Sequence, residues 1–208
     1  MKSIPMCKLF MFTLTMSVLF FVQKSLAQDI GDQANDIKII LGKICSQDSV
    51  ESVLATKKAF ESEDKDLRSF VLEKALQCKD RRVRDIGFKY LVEKHKDFTV
   101  DIDISEKDLP KIDAADKSLN DNEKSKDLFK SKRLGLKIKE VNAQNDTFKG
   151  SSDLNDFVGS IGAGNITIKF TYFNVRTCTL VLKNYEDGYL TGNFGCNSYS
   201  FAAKAAMP

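Results

Sequence analysis

The apolar residues of this chain change their period once, and that change divides the fold. From about residue 30 to 96 they recur at three- and four-residue spacing. From about 134 onward they alternate. The first period is that of one helix face and the second that of a strand with one buried side. Ile37, Ile40, Leu41 and Ile44 form a first helical stripe. Val50, Val53 and Leu54 repeat it after the cap candidates Ser46 and Asp48. Leu67, Phe70, Val71 and Ala75 give a third stripe, and Val83, Ile86, Tyr90 and Leu91 a fourth. Connections are short, which favours antiparallel neighbours. In the last third, Leu134, Leu136 and Ile138 alternate with polar partners, as do Ile166, Ile168, Phe170 and Tyr172. Residues 178–182 and 189–194 flank Asp187-Gly188, a strong hairpin signal. An antiparallel meander or small barrel is expected over 134–208.

Between these regions, residues 97–133 are rich in both signs of charge and poor in large apolar groups. Val100, Ile102 and Ile104 alternate, so a short strand is expected at the start. The rest reads as a flexible tether, too polar to offset the entropy of ordering.

Residues 1–27 carry the marks of an export leader. Lys2 and Lys8 precede the apolar run Leu9–Val22, and Ser25-Leu26-Ala27 ends it with small residues. Cleavage after Ala27 is expected. The apolar run is shorter than a membrane span needs. Losing three lysines lowers the basic count from 32 to 29, equal to the 29 acidic residues. A neutral chain gives no ground for a nucleic-acid partner, and no stable membrane span is expected after cleavage.

Four cysteines remain beyond the leader. An even number in an exported chain reads as two disulfides. If the hairpin turns about Asp187, Cys178 faces Cys196, Leu180 faces Phe194 and Leu182 faces Gly192. Cysteines opposite one another on neighbouring strands meet the spacing a disulfide needs. Cys45 and Cys78 are then left to brace the helices.

Two segments repeat at an offset of 16: Asp64-Lys65-Asp66-Leu67-Arg68 and Asp80-Arg81-Arg82-Val83-Arg84. Each starts a helix with a capping Asp, packs the residue at +3 and leaves an Arg at +4 to reach back to a carboxylate. Asp80, Val83, Arg84, Gly87 and Leu91 resemble the second helix of a HEAT-type repeat, over about 48–95. The resemblance implies a surface offered to a protein partner. The same residues read at least as well as an ordinary bundle of four capped helices. The expected class is therefore α+β: a helical module (28–96) as a bundle or short HEAT-like hairpin array, a charged linker (97–133) and a disulfide-braced β module (134–208).

Catalytic candidates are sparse. The single histidine, His95, sits at a charged helix end, which excludes a multi-histidine zinc site. The carboxylate pairs Asp101/Asp103 and Asp153/Asp156 lie in charged stretches where solvation is the ordinary state. Gly159–Gly164 lacks the Gly-Lys-Ser/Thr ending of a phosphate loop and precedes a strand, so it reads as a turn. No catalytic residue, metal or cofactor is assigned. Tyr185 and Tyr189 flank the Asp187-Gly188 turn, where burial is difficult, and are the candidate partner contacts. Asn145 and Asn165 begin Asn-x-Thr triplets and would be glycosylation sites in a eukaryotic host. The expected function is extracytoplasmic, periplasmic or secreted: non-enzymatic binding of a protein partner. The alternative is a β domain that holds a small apolar or sugar ligand or inhibits an enzyme.

Overall fold

The helical stretch begins with α1 (34–43), in which Ile37, Ile40 and Leu41 are partly buried and Ile39 is exposed. The computed structural model describes residues 34–107, 132–153, 155–172, 176–196 and 199–207. The leader, its cleavage site and most of the charged linker lie outside the described residues. From Lys43 onward the chain forms a second unit.

Three further helices follow: α2 (Ser49–Phe60), α3 (Lys65–Gln77) and α4 (Arg81–Lys94). Their caps are Asp48, Asp64 and Asp80, spaced by 16 residues, and each carboxylate accepts first-turn N–H groups. Such caps satisfy donors that the helix leaves unpaired. The residues at +4 in the three copies also share one contact. Ser52 Oγ donates to the Ser46 carbonyl at 3.3 Å, Arg68 Nη1 to that of Ser62 at 2.5 Å, and Arg84 Nη1 to that of Cys78 at 2.5 Å. In every case the acceptor lies six residues back. The arginines thus seek carbonyls rather than carboxylates. The cap-and-contact pattern thus occurs a third time, at Asp48, where serine stands in the place of arginine.

α3 and α4 bury the same positions counted from their caps. Leu67, Val71, Leu72, Ala75 and Leu76 match Val83, Gly87, Phe88, Leu91 and Val92. α2 departs from the expected stripe. It buries Ser52, Thr56 and Ala59, whereas Val50 and Leu54 are each 62% exposed. The buried hydroxyls are satisfied locally, Thr56 Oγ1 donating to the Ser52 carbonyl at 2.7 Å. A face of small residues with paired hydroxyls is cheap to bury. Phe70 also faces outward, 51% exposed, because Leu72 and Leu76 take the inward positions on α3.

Eight strands follow: β1 (Asp97–Asp103), β2 (Arg133–Asn142), β3 (Thr147–Ser152), β4 (Asp156–Gly162), β5 (Asn165–Tyr172), β6 (Arg176–Glu186), β7 (Tyr189–Cys196) and β8 (Tyr199–Ala206). Each pairs antiparallel with the next, and β1 pairs with β8, which closes the barrel. The barrel therefore begins at Asp97, within the stretch assigned above to the linker. Val100, Ile102 and Ile104 are buried, and that alternation makes β1 a staff of the barrel rather than a strand of the tether.

An eight-stranded barrel is just wide enough for side chains to fill. Phe148, Phe157, Phe170 and Phe194 contact one another in sequence, with centroids 6.1, 5.8 and 6.2 Å apart. Between β3 and β4 the register sets Phe148 opposite Gly159 and Phe157 opposite Gly150. Each ring lies over the facing glycine, where an added Cβ would strike it. Leu72, Leu76, Phe88, Leu91 and Val92 join these residues in one apolar core. The helices and the barrel thus share a core, and the linker runs from β1 to β2 rather than between two modules.

Cys45 and Cys78 lie at disulfide distance, Cα atoms 5.4 Å apart, as do Cys178 and Cys196 at 4.3 Å. Both pairs are those expected from the sequence. The Cys45–Cys78 link spans 33 residues. Replacing both with Ser is expected to lower stability by about 3–4 kcal/mol on a chain-entropy count. The urea midpoint reads this, and an unchanged midpoint means that packing alone holds α2 and α3.

Candidate functional site

The helices cover one end of the barrel. That end carries the β2–β3, β4–β5 and β6–β7 turns, and α4 supplies most of the contacts. The Asp85 carboxylate accepts the Gly164 N–H at 2.8 Å, and Lys89 pairs with Asp146 at 2.5 Å. Ala163 and Gly164 have φ of 56° and 76°, and Asp146 has φ of 53°. Both turns thus present left-handed backbone to α4. The guanidinium of Arg84 lies against Gly164 where a Cβ would sit, so this position combines a conformational and a spatial demand for glycine.

Burial raises the pKa of Asp85 above the ordinary carboxylate value, against the Gly164 hydrogen bond and the charges of Arg84 and Lys89. The folded state then binds this proton more tightly than the unfolded state. Stability contributed here is greatest below the unfolded value and is lost as pH rises through the folded value. Asp85→Asn keeps an acceptor for Gly164 and removes the buried charge. It is expected to raise the melting temperature slightly at pH 7, with the gain fading as pH falls through the raised folded value and absent at the ordinary carboxylate value. The effect stays under about 1 kcal/mol because water reaches the carboxylate. A lower melting temperature at pH 7 contradicts this account.

The other shifted groups also have structural duties. Asp80 is held below the usual carboxylate value, chiefly by a hydrogen bond from Ser49. His95 caps the C-terminal end of α4, and burial lowers its pKa. It is half-buried. Asp153 accepts the Gly135 N–H at 2.6 Å, Asp156 meets Lys139 at 3.3 Å, and Arg133 meets Asp101 at 2.8 Å. The paired carboxylates of the sequence are thus divided among separate tasks.

Tyr185 and Tyr189 sit where the turn was expected, but neither stands free. Both are half-buried. Tyr185 packs against the core, and its phenol is raised above its usual pKa by burial and by the Glu73 carboxylate to which it hydrogen-bonds. It serves to dock α3. The Lys204 ammonium lies 3.6 Å from the Tyr189 ring centroid. Helices laid over this end bury what a bare hairpin would expose. Asn145 is exposed in the β2–β3 turn, whereas Asn165 opens β5 half-buried and accepts from Thr167 Oγ1 at 3.0 Å.

The exposed large apolar side chains of the second unit lie mainly on the helices: Val50, Leu54 and Phe70, with Val158 on the barrel wall. Val50 and Leu54 are one turn apart and share a face. Lys57 and Lys58 occupy the last turn of the same helix. The apolar character of Val50 and Leu54 reads as core in the sequence, and only the spacing of the small residues Ser52, Thr56 and Ala59 marks the opposite face as the inward one. Among the described residues, a cavity of about 20 Å³ lies inside the barrel, lined by residues such as Phe148, Phe157 and Ile168. Among the described residues no helix is long and apolar enough to cross a membrane. The chain matches no family model, no curated protein and no solved structure.

Proposed function

We propose that this is an exported, non-enzymatic protein that binds a protein partner through the outer face of α2. The carrying observation is the inversion of that helix, with Val50 and Leu54 outward and hydroxyls inward. Exposed apolar side chains on a rigid, capped helix suit an interface core. Lys57 and Lys58 beside them favour a partner that presents apolar residues next to acidic ones. Two cysteine pairs at disulfide distance support an oxidising, extracytoplasmic setting. The filled barrel interior supports binding by surface over carriage of a small apolar ligand inside, which needs a cavity of several hundred cubic ångströms.

The test is affinity capture from the native extracytoplasmic fraction with residues 28–208. Three baits are compared: the natural sequence, Val50→Lys/Leu54→Lys, and Val158→Lys as a matched exposed control. One protein retained by the first and third baits and lost by the second supports the proposal. Equal retention by all three, or no selective retention, refutes it.

A further inference from the structure

We infer that the outer wall of the barrel carries a second site, a groove for an acidic oligosaccharide. It is independent of the α2 face. The register lines up Asp103, Ala202 and Asn193 across β1, β8 and β7, with Asp101, Lys204, Thr191 and Asn184 in the next row, which continues onto β6. Ala202 and Gly192 are the low points of the two middle strands, and Lys183 in the bulge of β6 and Lys132 and Arg133 at the start of β2 stand on either side. The Lys183 bulge interrupts the register of β6, and a bulge bends its strand. The result is an open concavity of about 710 Å³. It spans roughly 14 Å from β1 to β6, three strand spacings.

Its charge is lopsided in a chain that is neutral once the leader is removed. Lys132, Arg133, Lys183 and Lys204 line it against Asp101 and Asp103. Arg133 is turned onto Asp101 at 2.8 Å, so three ammonium groups answer one remaining carboxylate. Lys204 is held over the Tyr189 ring, which limits the entropy lost when it meets an anion. The amides of Asn184 and Asn193 and the Thr191 hydroxyl both donate and accept, which suits rings dense in hydroxyls. A floor of Gly192 and Ala202 leaves room for a ring to lie flat. An acidic peptide fits less well. The barrel is closed, so no strand edge is open to pair with a peptide backbone.

The test is calorimetric titration of residues 28–208 at low salt with tetragalacturonate and with a heparin tetrasaccharide. Maltotetraose serves as the neutral sugar and a glutamate decapeptide as the acidic peptide. Saturable binding of at least one acidic saccharide is expected, weakened by added salt, with maltotetraose weaker. Lys183→Glu should weaken it by about tenfold or more, and Ala202→Trp, which fills the floor, should abolish it. Both substitutions are on the surface, and unchanged melting curves confirm that the variants fold. Failure of both acidic saccharides to bind, equal affinity in both variants, or equal affinity for maltotetraose or the decapeptide overturns the proposal. The α2 variant Val50→Lys/Leu54→Lys should bind the saccharide normally, so the two sites fail or stand separately.

Discussion

Phe88→Ala is expected to lower stability by about 3–5 kcal/mol, a fall in melting temperature on the order of 10 °C for a chain of this length. Phe88 lies on α4, is fully buried and belongs to the same apolar core as Phe148, Phe170 and Phe194. The loss should therefore reach both halves. The chain has no tryptophan and five tyrosines, and Tyr185, Tyr189 and Tyr199 lie on β6, β7 and β8. Tyr90 lies on α4 and stacks on Phe60; with Tyr90→Phe placed in both backgrounds, near-ultraviolet dichroism reports the barrel and the 222 nm signal reports the helices. In the natural sequence and in the variant the two signals should fall together. Helices that melt early, with the tyrosine signal unmoved, would falsify the shared core.

The second large effect comes from removing one residue without replacing it. Asp187 and Gly188 have φ of 51° and 82°, a two-residue turn that sets Glu186 opposite Tyr189. Continued without interruption, that register places Cys178 opposite residue 197. The bulge between Leu182 and Asn184 shifts it by one and brings Cys178 opposite Cys196. Deleting Thr191 leaves β7 one residue short and forces a choice between the turn and the disulfide: with turn and bulge both kept, Cys178 falls one residue beyond Cys196, and a one-residue slip also reverses which side chains face inward. A loss of about 4 kcal/mol or more is expected, with the Cys178–Cys196 link missing from a non-reduced peptide map. Deleting Lys183 instead only straightens the strand, since Leu182–Gly192 and Asn184–Thr191 become successive pairs and Cys178 still meets Cys196, and stability should stay within about 1 kcal/mol of the natural sequence. If the Thr191 deletion forms the native link and melts normally, the turn and bulge do not set the register.

The same bulge shows how far the sequence could be read. The pairings Cys178–Cys196, Leu180–Phe194 and Leu182–Gly192 were legible from a turn centred on Asp187. They were reached without the bulge only because a one-residue centre and a two-residue turn with a bulge give the same register beyond Leu182. Alternation is a local signal, so the inward faces of β2, β5 and β6 were plain. Closure is not local. Nothing near Val100 announces that its partners include Ala205 as well as Leu134, and β1 was assigned to the tether for that reason. The helices failed where composition outweighed context. Val50, Leu54 and Phe70 look like core, while Ser52 and Thr56 look like surface, and hydrogen bonds to nearby carbonyls reverse the order. The candidate tyrosines were placed on the correct turn, but their covering by α3 is a tertiary fact. The groove on β6–β8 and β1 had no linear trace, since its residues come from distant strands.

Barrel closure also sets an order of events. Neighbouring strands are joined locally, but β1 must wait for β8, about a hundred residues later in the chain, before its second edge is paired. Long-range pairing of this kind is slow, because the loop entropy is lost before the contacts form. A chain emerging N-terminus first completes its helices and β1 early. It then holds Val100, Asp101 and Ile102 as an unfilled strand edge until Ala203–Ala205 arrive. Unpaired edges are templates for misassembly. The eight residues of β8 thus decide whether the edge made long before them is capped, and a truncation before Tyr199 should aggregate rather than merely lose stability.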